Sequence, residues 1–383
     1  MGVRLLVGAS LLATLAAHAA PAQLDPEIQR ITEQARSAYL ATQSFKRLNL
    51  AVWVQAAPGA PWRGGEVDAE AQVYPASMVK LPYAIDSVLT CSERSAPLDC
   101  QRDDLVPMLV DSDNVATGRL VDGLTATRNY QSSPIPADVQ ALPTPADTAE
   151  REAAFSRWLT ARLHTEARLQ TLGLLGHMRL LHKTYPTNSG EEPFGFEAKA
   201  RAEHGRNSMS AHDIAALMRA LVDGEIDRAT KVPVLETLHP YLVRSRYSLQ
   251  SALASGAPPA TNVIGKMGTA YDTLQEVAVL SWPQDPSKPR VLIAAFSDGL
   301  DQDTPEPFDG WRLAGLTTEL LTRLKLMPLP QWQAPSLRRG TVARWQRSPG
   351  KQPQTLEVQY RINAAAAGLR RVHLHCNPGC SSN

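Results

Sequence analysis

Strand-forming segments bracket a long helical run in this chain, and no other feature constrains its fold as much. Leu48 to Val54 is rich in β-formers, Pro58-Gly59 supplies a turn, and a second strand extends toward Tyr74. Residues 76–257 then carry helical periodicity, clearest where Ser210-Ala211-His212-Asp213 forms a capping-box pattern. Ile214, Leu217, Met218 and Leu221 follow on one face, and Gly224 stops the helix. Strand character returns at Thr261–Gly265, Glu276–Trp282 and Val291–Phe296, the last two joined by an Asp285-Pro286-Ser287 turn. Helices close both ends: Asp25-Pro26 caps one, and Leu313, Leu316, Leu320 and Leu324 mark the other. Such a chain leaves a sheet, builds a helical lobe and comes back. This predicts an α/β (α+β) two-lobe architecture with an antiparallel sheet and a cleft between the lobes.

The flanks divide the chain. Met1 to Arg4 is a short basic start, Leu5 to Ala17 an apolar run and Ala17-His18-Ala19 a small-x-small cleavage signal, so residues 1–19 are expected to be a signal peptide. The main domain is expected over residues 20–326, with a helical lobe at about 76–257. An insert at about 124–172 comprises a Pro-rich loop at 131–147 and a helix over Thr148–Leu172. Prolines 328, 330 and 335 mark a linker, and Leu356, Val358, Tyr360 and Ile362 alternate as a strand does, so residues 327–383 are expected to be a linker and a small β-rich module. With 39 Lys+Arg against 38 Asp+Glu there is no charge footprint for nucleic acid. No stretch reaches the length of a membrane span, and an exported, periplasmic or secreted monomer is expected.

Export makes the four cysteines legible as disulfides. Local pairing, Cys91 with Cys100 and Cys376 with Cys380, closes the shortest loops. The rival for the second pair is a zinc set in His373-Leu374-His375-Cys376 through Cys380, but zinc ligands usually sit on separated segments, and no metal or other cofactor is expected.

Three short motifs carry the chemistry. Ser77-Met78-Val79-Lys80 places a hydroxyl and an amine three residues apart, on one face of a helix, where a desolvated Lys can activate a Ser. Ser112-Asp113-Asn114 follows, a tripeptide whose structural alternative is a helix N-cap. Gly265-Lys266-Met267-Gly268-Thr269 ends a predicted strand and is no phosphate loop, because position 260 is Ala where Gly is required. The histidines share no metal-ligand spacing, and no G-x-S-x-G elbow is present.

In this order the three motifs resemble the S-x-x-K, S-D-N and K-T-G signatures of the class A β-lactamases and penicillin-binding proteins. The resemblance covers about residues 23–326 and extends to the order of helices and strands. It implies a class A β-lactamase-like fold in which Ser77 is the acylated nucleophile, Lys80 its base and Ser112 a proton relay to the leaving amine. Asn114 would hold Lys80 and the substrate amide. Lys266 and Thr269 would receive the substrate carboxylate, with Gly268 beside them on the substrate-binding edge; Lys266 would also keep Lys80 near neutrality, and the N–H groups of Ser77 and Thr269 would form an oxyanion hole. Met267 stands where that family has the K-T-G hydroxyl. Glu192, in Glu191-Glu192-Pro193, is the candidate base for deacylation. The implied substrate is a β-lactam, with a peptidoglycan stem peptide cut by a D,D-peptidase as the alternative. A third possibility, from another class, is a penicillin-binding module that stays acylated.

Overall fold

The computed structural model describes residues 22–42, 46–127, 148–182, 195–245, 251–270, 272–299, 310–327, 355–360 and 370–375. The expected signal peptide, Glu192, Cys376 and Cys380 lie outside these residues. The chain forms two compact units, Met1–Met327 and Pro328–Asn383.

In the first unit, β1 (Gln23–Leu24) leads into α1 (Pro26–Thr42), then β2 (Arg47–Gln55) and β3 (Trp62–Val67). A short 3₁₀ turn, Ala76–Val79, runs into α2 (Lys80–Glu93), and α3 (Arg102–Val110) and α4 (Asn114–Thr125) follow. The helical lobe continues through α5 (Thr148–Arg162), α6 (His164–Thr171), α7 (Gly195–His204), α8 (Ala211–Val222), α9 (Glu225–Thr230) and α10 (Val234–Leu242). The chain then returns by β4 (Val243–Arg244) and α11 (Ala252–Ser255) to β5 (Asn262–Ala270), β6 (Thr273–Ser281) and β7 (Arg290–Asp298), and closes with α12 (Gly310–Arg323). The seven strands lie in the order β1-β3-β2-β7-β6-β5-β4, antiparallel except for β1 beside β3. The second unit contributes the antiparallel pair β8 (Thr355–Tyr360) and β9 (Arg370–His375).

Alternation along the strands divides the core. Leu48, Leu50 and Val52 of β2 join a cluster with residues of α1 and α12, while Ala51 and Trp53 join one with α2 and α8. The predicted capping box is present: Ser210 Oγ accepts from the Asp213 N–H at 3.0 Å, and the Ser210 N–H donates to Asp213 Oδ2 at 3.3 Å. Cys91, at the end of α2, is bridged to Cys100 with 5.8 Å between Cα atoms, which ties α2 to the approach of α3.

Two sequence expectations are refined. The single helix expected over Thr148–Leu172 is two, interrupted at Leu163. Past the break, Thr165 Oγ1 donates to buried Asp86 Oδ2 at 2.5 Å and Arg168 Nε lies 2.7 Å from Asp86 Oδ1. A buried carboxylate needs such partners, and the sequence period carries no sign of a contact to α2. The helical run expected to residue 257 is also interrupted, because Val243 and Arg244 pair with Ile264 and Val263 as an edge strand.

Candidate active site

Ser77 lies in the 3₁₀ turn at the start of α2, half-buried, and Lys80 begins α2 itself with no solvent exposure. The three-residue spacing brings Lys80 Nζ within 3.0 Å of Ser77 Oγ. The same amine donates to Asn114 Oδ1 at 2.7 Å and to the Ser112 carbonyl. A neutral amine has two N–H groups and one lone pair. With the N–H groups on Ser112 O and Asn114 Oδ1, the lone pair is left for the Ser77 hydroxyl.

The S-D-N turn satisfies both of its sequence interpretations. Asp113 is the N-cap of α4, accepting from the Ala116 N–H at 2.6 Å. That cap fixes the turn so that Ser112 Oγ stands between two amines, 3.2 Å from Lys80 Nζ and 2.9 Å from Lys266 Nζ. Ala76 (φ 47°) and Ser112 (φ 58°) are both left-handed. For residues with a Cβ this conformation costs roughly 1–2 kcal/mol, so the surrounding packing must hold it.

Burial sets the charge. Desolvation brings the Lys80 ammonium down from its ordinary value to about 7, against the pull of Asp113 in the other direction. Lys266, fully buried on β5, is pushed well below the usual lysine range, first by desolvation and then by repulsion from Lys80 and Arg244. The expectation that Lys266 keeps Lys80 near neutrality thus gives way to burial as the leading cause.

On the sheet side, Gly268 explains the close approach of β5 to the turn that carries Ser77. A Cβ there would lie 2.7 Å from Ser77 N, 2.9 Å from Met78 N and 3.0 Å from Pro75 O, all backbone atoms that cannot step aside. Gly268→Ala is therefore expected to displace β5 or the turn and slow acylation of Ser77 by about 10- to 100-fold, the scale of an ångström-level misplacement. Acylation kinetics followed by intact mass will check it, and an unchanged rate would show that the turn tolerates the shift. Met267 is buried in the core cluster shared with α1 and α12, and Thr269 is exposed near the end of β5, outside the hydrogen-bond network just described.

Sequence reasoning missed three residues here. Gln275, the register partner of Gly268 on β6, is buried and donates to the Tyr74 carbonyl at 2.7 Å, bracing the turn ahead of Ser77. Arg244, also buried, donates to the carbonyls of Tyr241, Val243 and Leu109 at 2.9, 3.1 and 2.8 Å. Glu276 lies in the α1 and α12 side of the core region, accepting from Ser251 Oγ and the N–H groups of Ala252 and Leu253, and burial raises its carboxyl to about 7. None belongs to a motif; each acquires meaning only from strand register or a chain reversal.

No family model matches the chain. A curated relative, Golvesin of Dictyostelium discoideum, is 25% identical over 284 residues, which cover 74% of this chain and 45% of that protein. The chain thus spans less than half of that relative's length. Among solved structures, PBP-A aligns with a TM-score of 0.51 and 14% identity over 81% of this chain and 100% of that one. A β-lactamase from Sphaerobacter thermophilus aligns with a TM-score of 0.50 and 16% identity over 78% and 98%. An ancestral class A β-lactamase gives 0.50 and 16% over 76% and 99%. With near-complete coverage of these structures, the chain has a β-lactamase-like fold.

Proposed function

We propose that the protein is a serine hydrolase that opens an amide, with a β-lactam as the acyl donor, through an ester on Ser77. The observation that carries this reading is the unbroken chain Ser77 Oγ, Lys80 Nζ, Ser112 Oγ, Lys266 Nζ, with successive separations of 3.0, 3.2 and 2.9 Å. Ser77 Oγ attacks the carbonyl carbon while its proton passes to the Lys80 lone pair. Ser112, held between the two amines, hands a proton to the leaving nitrogen. The Ser77 N–H, at the start of a helix and pressed by β5, faces the developing oxyanion together with the Thr269 N–H. The Cys91–Cys100 bridge is compatible with export. Among the described residues no helix is long and apolar enough to cross a membrane.

Deacylation needs a second base on the water, and Glu192 is the proposed one. Intact-mass measurement of the full chain with a penicillin separates no adduct, a lasting adduct and turnover. Turnover is expected. Glu192→Gln should form the acyl-enzyme at a near-normal rate and then trap it, because a base positioned on water contributes about 10²–10⁴-fold. Steady turnover by that variant would exclude Glu192 as the base. A wild-type burst with no turnover would favour a penicillin-binding module or a peptidase over a β-lactamase.

A further inference from the structure

The turn that carries Ser77 holds an uncommon conformation, and its neighbours account for how it is kept. Val73 pairs by backbone with Met209, N–H to carbonyl in both directions at 3.1 and 3.0 Å, so the helical lobe fixes the chain one residue before Tyr74. Two residues after Tyr74, Ala76 is buried and left-handed at φ 47°. An alanine in that region relaxes to ordinary backbone unless contacts on either side hold it. Pro75, between the two, has no N–H to offer. The Tyr74 carbonyl is a handle on this stretch, and the sheet takes it, for Gln275 Nε2 donates to it at 2.7 Å.

The surroundings of Gln275 show what this bond is for. The side chain has no solvent exposure, and its Oε1 is buried with no partner among the described residues. A methionine or leucine would fill the space without leaving a carbonyl unmet. The register partner of Gln275 on β5 is Gly268, so no side chain stands directly opposite on that face of the ladder. A Cβ on Gly268 would lie 2.7 Å from Ser77 N and 3.0 Å from Pro75 O. Gly268 thus lets the sheet press against the turn, while Gln275, one strand further in, holds the carbonyl that leads into it. Two local penalties, a left-handed alanine and an orphan acceptor, meet at one hydrogen bond beside Ser77. Such penalties persist where a site needs the geometry they enforce.

We propose that Gln275 is a positioning residue for acyl transfer: by holding the Tyr74 carbonyl it fixes how the chain enters Ala76, and with that the aim of the Ser77 Oγ and N–H. It acts through the backbone of the turn and not through Lys80, whose bonds go to Ser77, Ser112 and Asn114. The proposal rests on Ser77 being the acyl acceptor.

The test is Gln275→Met in the full chain, which fills the same space without the amide, read as the rate of acyl-Ser77 formation against benzylpenicillin concentration. The maximal rate is expected to fall about 10- to 100-fold, the scale of an ångström-level misplacement, with the half-saturating concentration unchanged within about twofold. The pH midpoint of that rate should stay near 7, because Lys80 keeps its partners. Adding Ala76→Gly should recover about fivefold of the loss, since glycine adopts a left-handed φ without the alanine's penalty and needs the brace less. A side chain that merely fills the core would show no such recovery. A folded Gln275→Met with the wild-type maximal rate, a loss confined to the half-saturating concentration, a shifted midpoint, or no recovery in the double variant would overturn the proposal. Should Gln275→Met not fold, Gln275→Leu serves in its place, and if neither folds the role is structural and the proposal falls. A neutral alkyl fluorophosphonate, which loses fluoride on reaction, keeps this failure apart from that of the parent reading. If it labels Ser77 equally fast in wild type and Gln275→Met, the positioning role alone falls. If neither it nor benzylpenicillin labels Ser77 in wild type, the serine-hydrolase reading falls and takes the proposal with it.

Discussion

Ser77→Ala is expected to abolish covalent labelling by a β-lactam or a fluorophosphonate and to leave the fold intact. The hydroxyl is the proposed acyl acceptor, and removal of a serine nucleophile from a hydrolase costs on the order of a millionfold in turnover. The structural cost is small, because Lys80 keeps Asn114 Oδ1 and the Ser112 carbonyl as partners, and the lost contact is one hydrogen bond of about 1 kcal/mol. Thermal unfolding should therefore move by only a few degrees while labelling vanishes. The pairing of those two readouts matters, since a misfolded variant would lose both. An adduct of equal yield on Ser77→Ala would place the nucleophile elsewhere.

What could be seen in the sequence and what could not divides along sequence separation. Ser77 and Lys80 are three residues apart on one helix, so elementary helix geometry unites them. The S-D-N turn and Lys266 were visible as motifs, although their meeting across 154 residues at Ser112 Oγ depends on how β5 lies against α2. The sheet was legible from strand pattern, and the observed strands β5, β6 and β7 extend each expected segment by several residues because pairing carries them on. Gln275 was not legible, for a glutamine in a strand signals nothing until register sets it beside Gly268. Arg244 was equally silent, since its partners are carbonyls and carbonyls have no sequence signature.

The electrostatics were only half legible. A resemblance can place two lysines in one site, but which of them is neutral, and why, depends on solvent exposure. Both Lys80 and Lys266 are fully buried, so desolvation acts on each before their mutual repulsion does. The outcome differs in degree. Lys266 lies deeper among cations and is pushed further down, whereas Asp113 pulls Lys80 partly back and leaves it near neutrality. That division suits their positions. In the proposed mechanism the amine beside Ser77 takes up and releases a proton in each cycle, and the other needs only to hold Ser112.

Lys80 therefore supplies the second large effect, with a pH signature attached. Acylation requires its lone pair, so with the ammonium near 7 the rate should rise with pH through about 7 and level off above it. The sign follows from the depressed value: below 7 the amine is protonated, the lone pair is gone, and Ser77 keeps its proton. Folding is linked in the same direction. Between about 7 and about 10.4 the unfolded chain binds a proton at Lys80 that the native state does not, so stability grows with pH across that window. Lys80→Ala should slow acylation by at least about a hundredfold and flatten the profile near 7. Lys80→Arg restores the positive charge without a titratable lone pair and should not rescue the rate, which a purely structural role for the side chain would allow. The measurement is the acylation rate of the three proteins from about pH 5.5 to 9, bracketing the titration by well over a unit on each side. A wild-type rate that stays flat over that range, or full activity in Lys80→Arg, would move the base away from Lys80 and leave Ser112 and Lys266 to account for activation of Ser77.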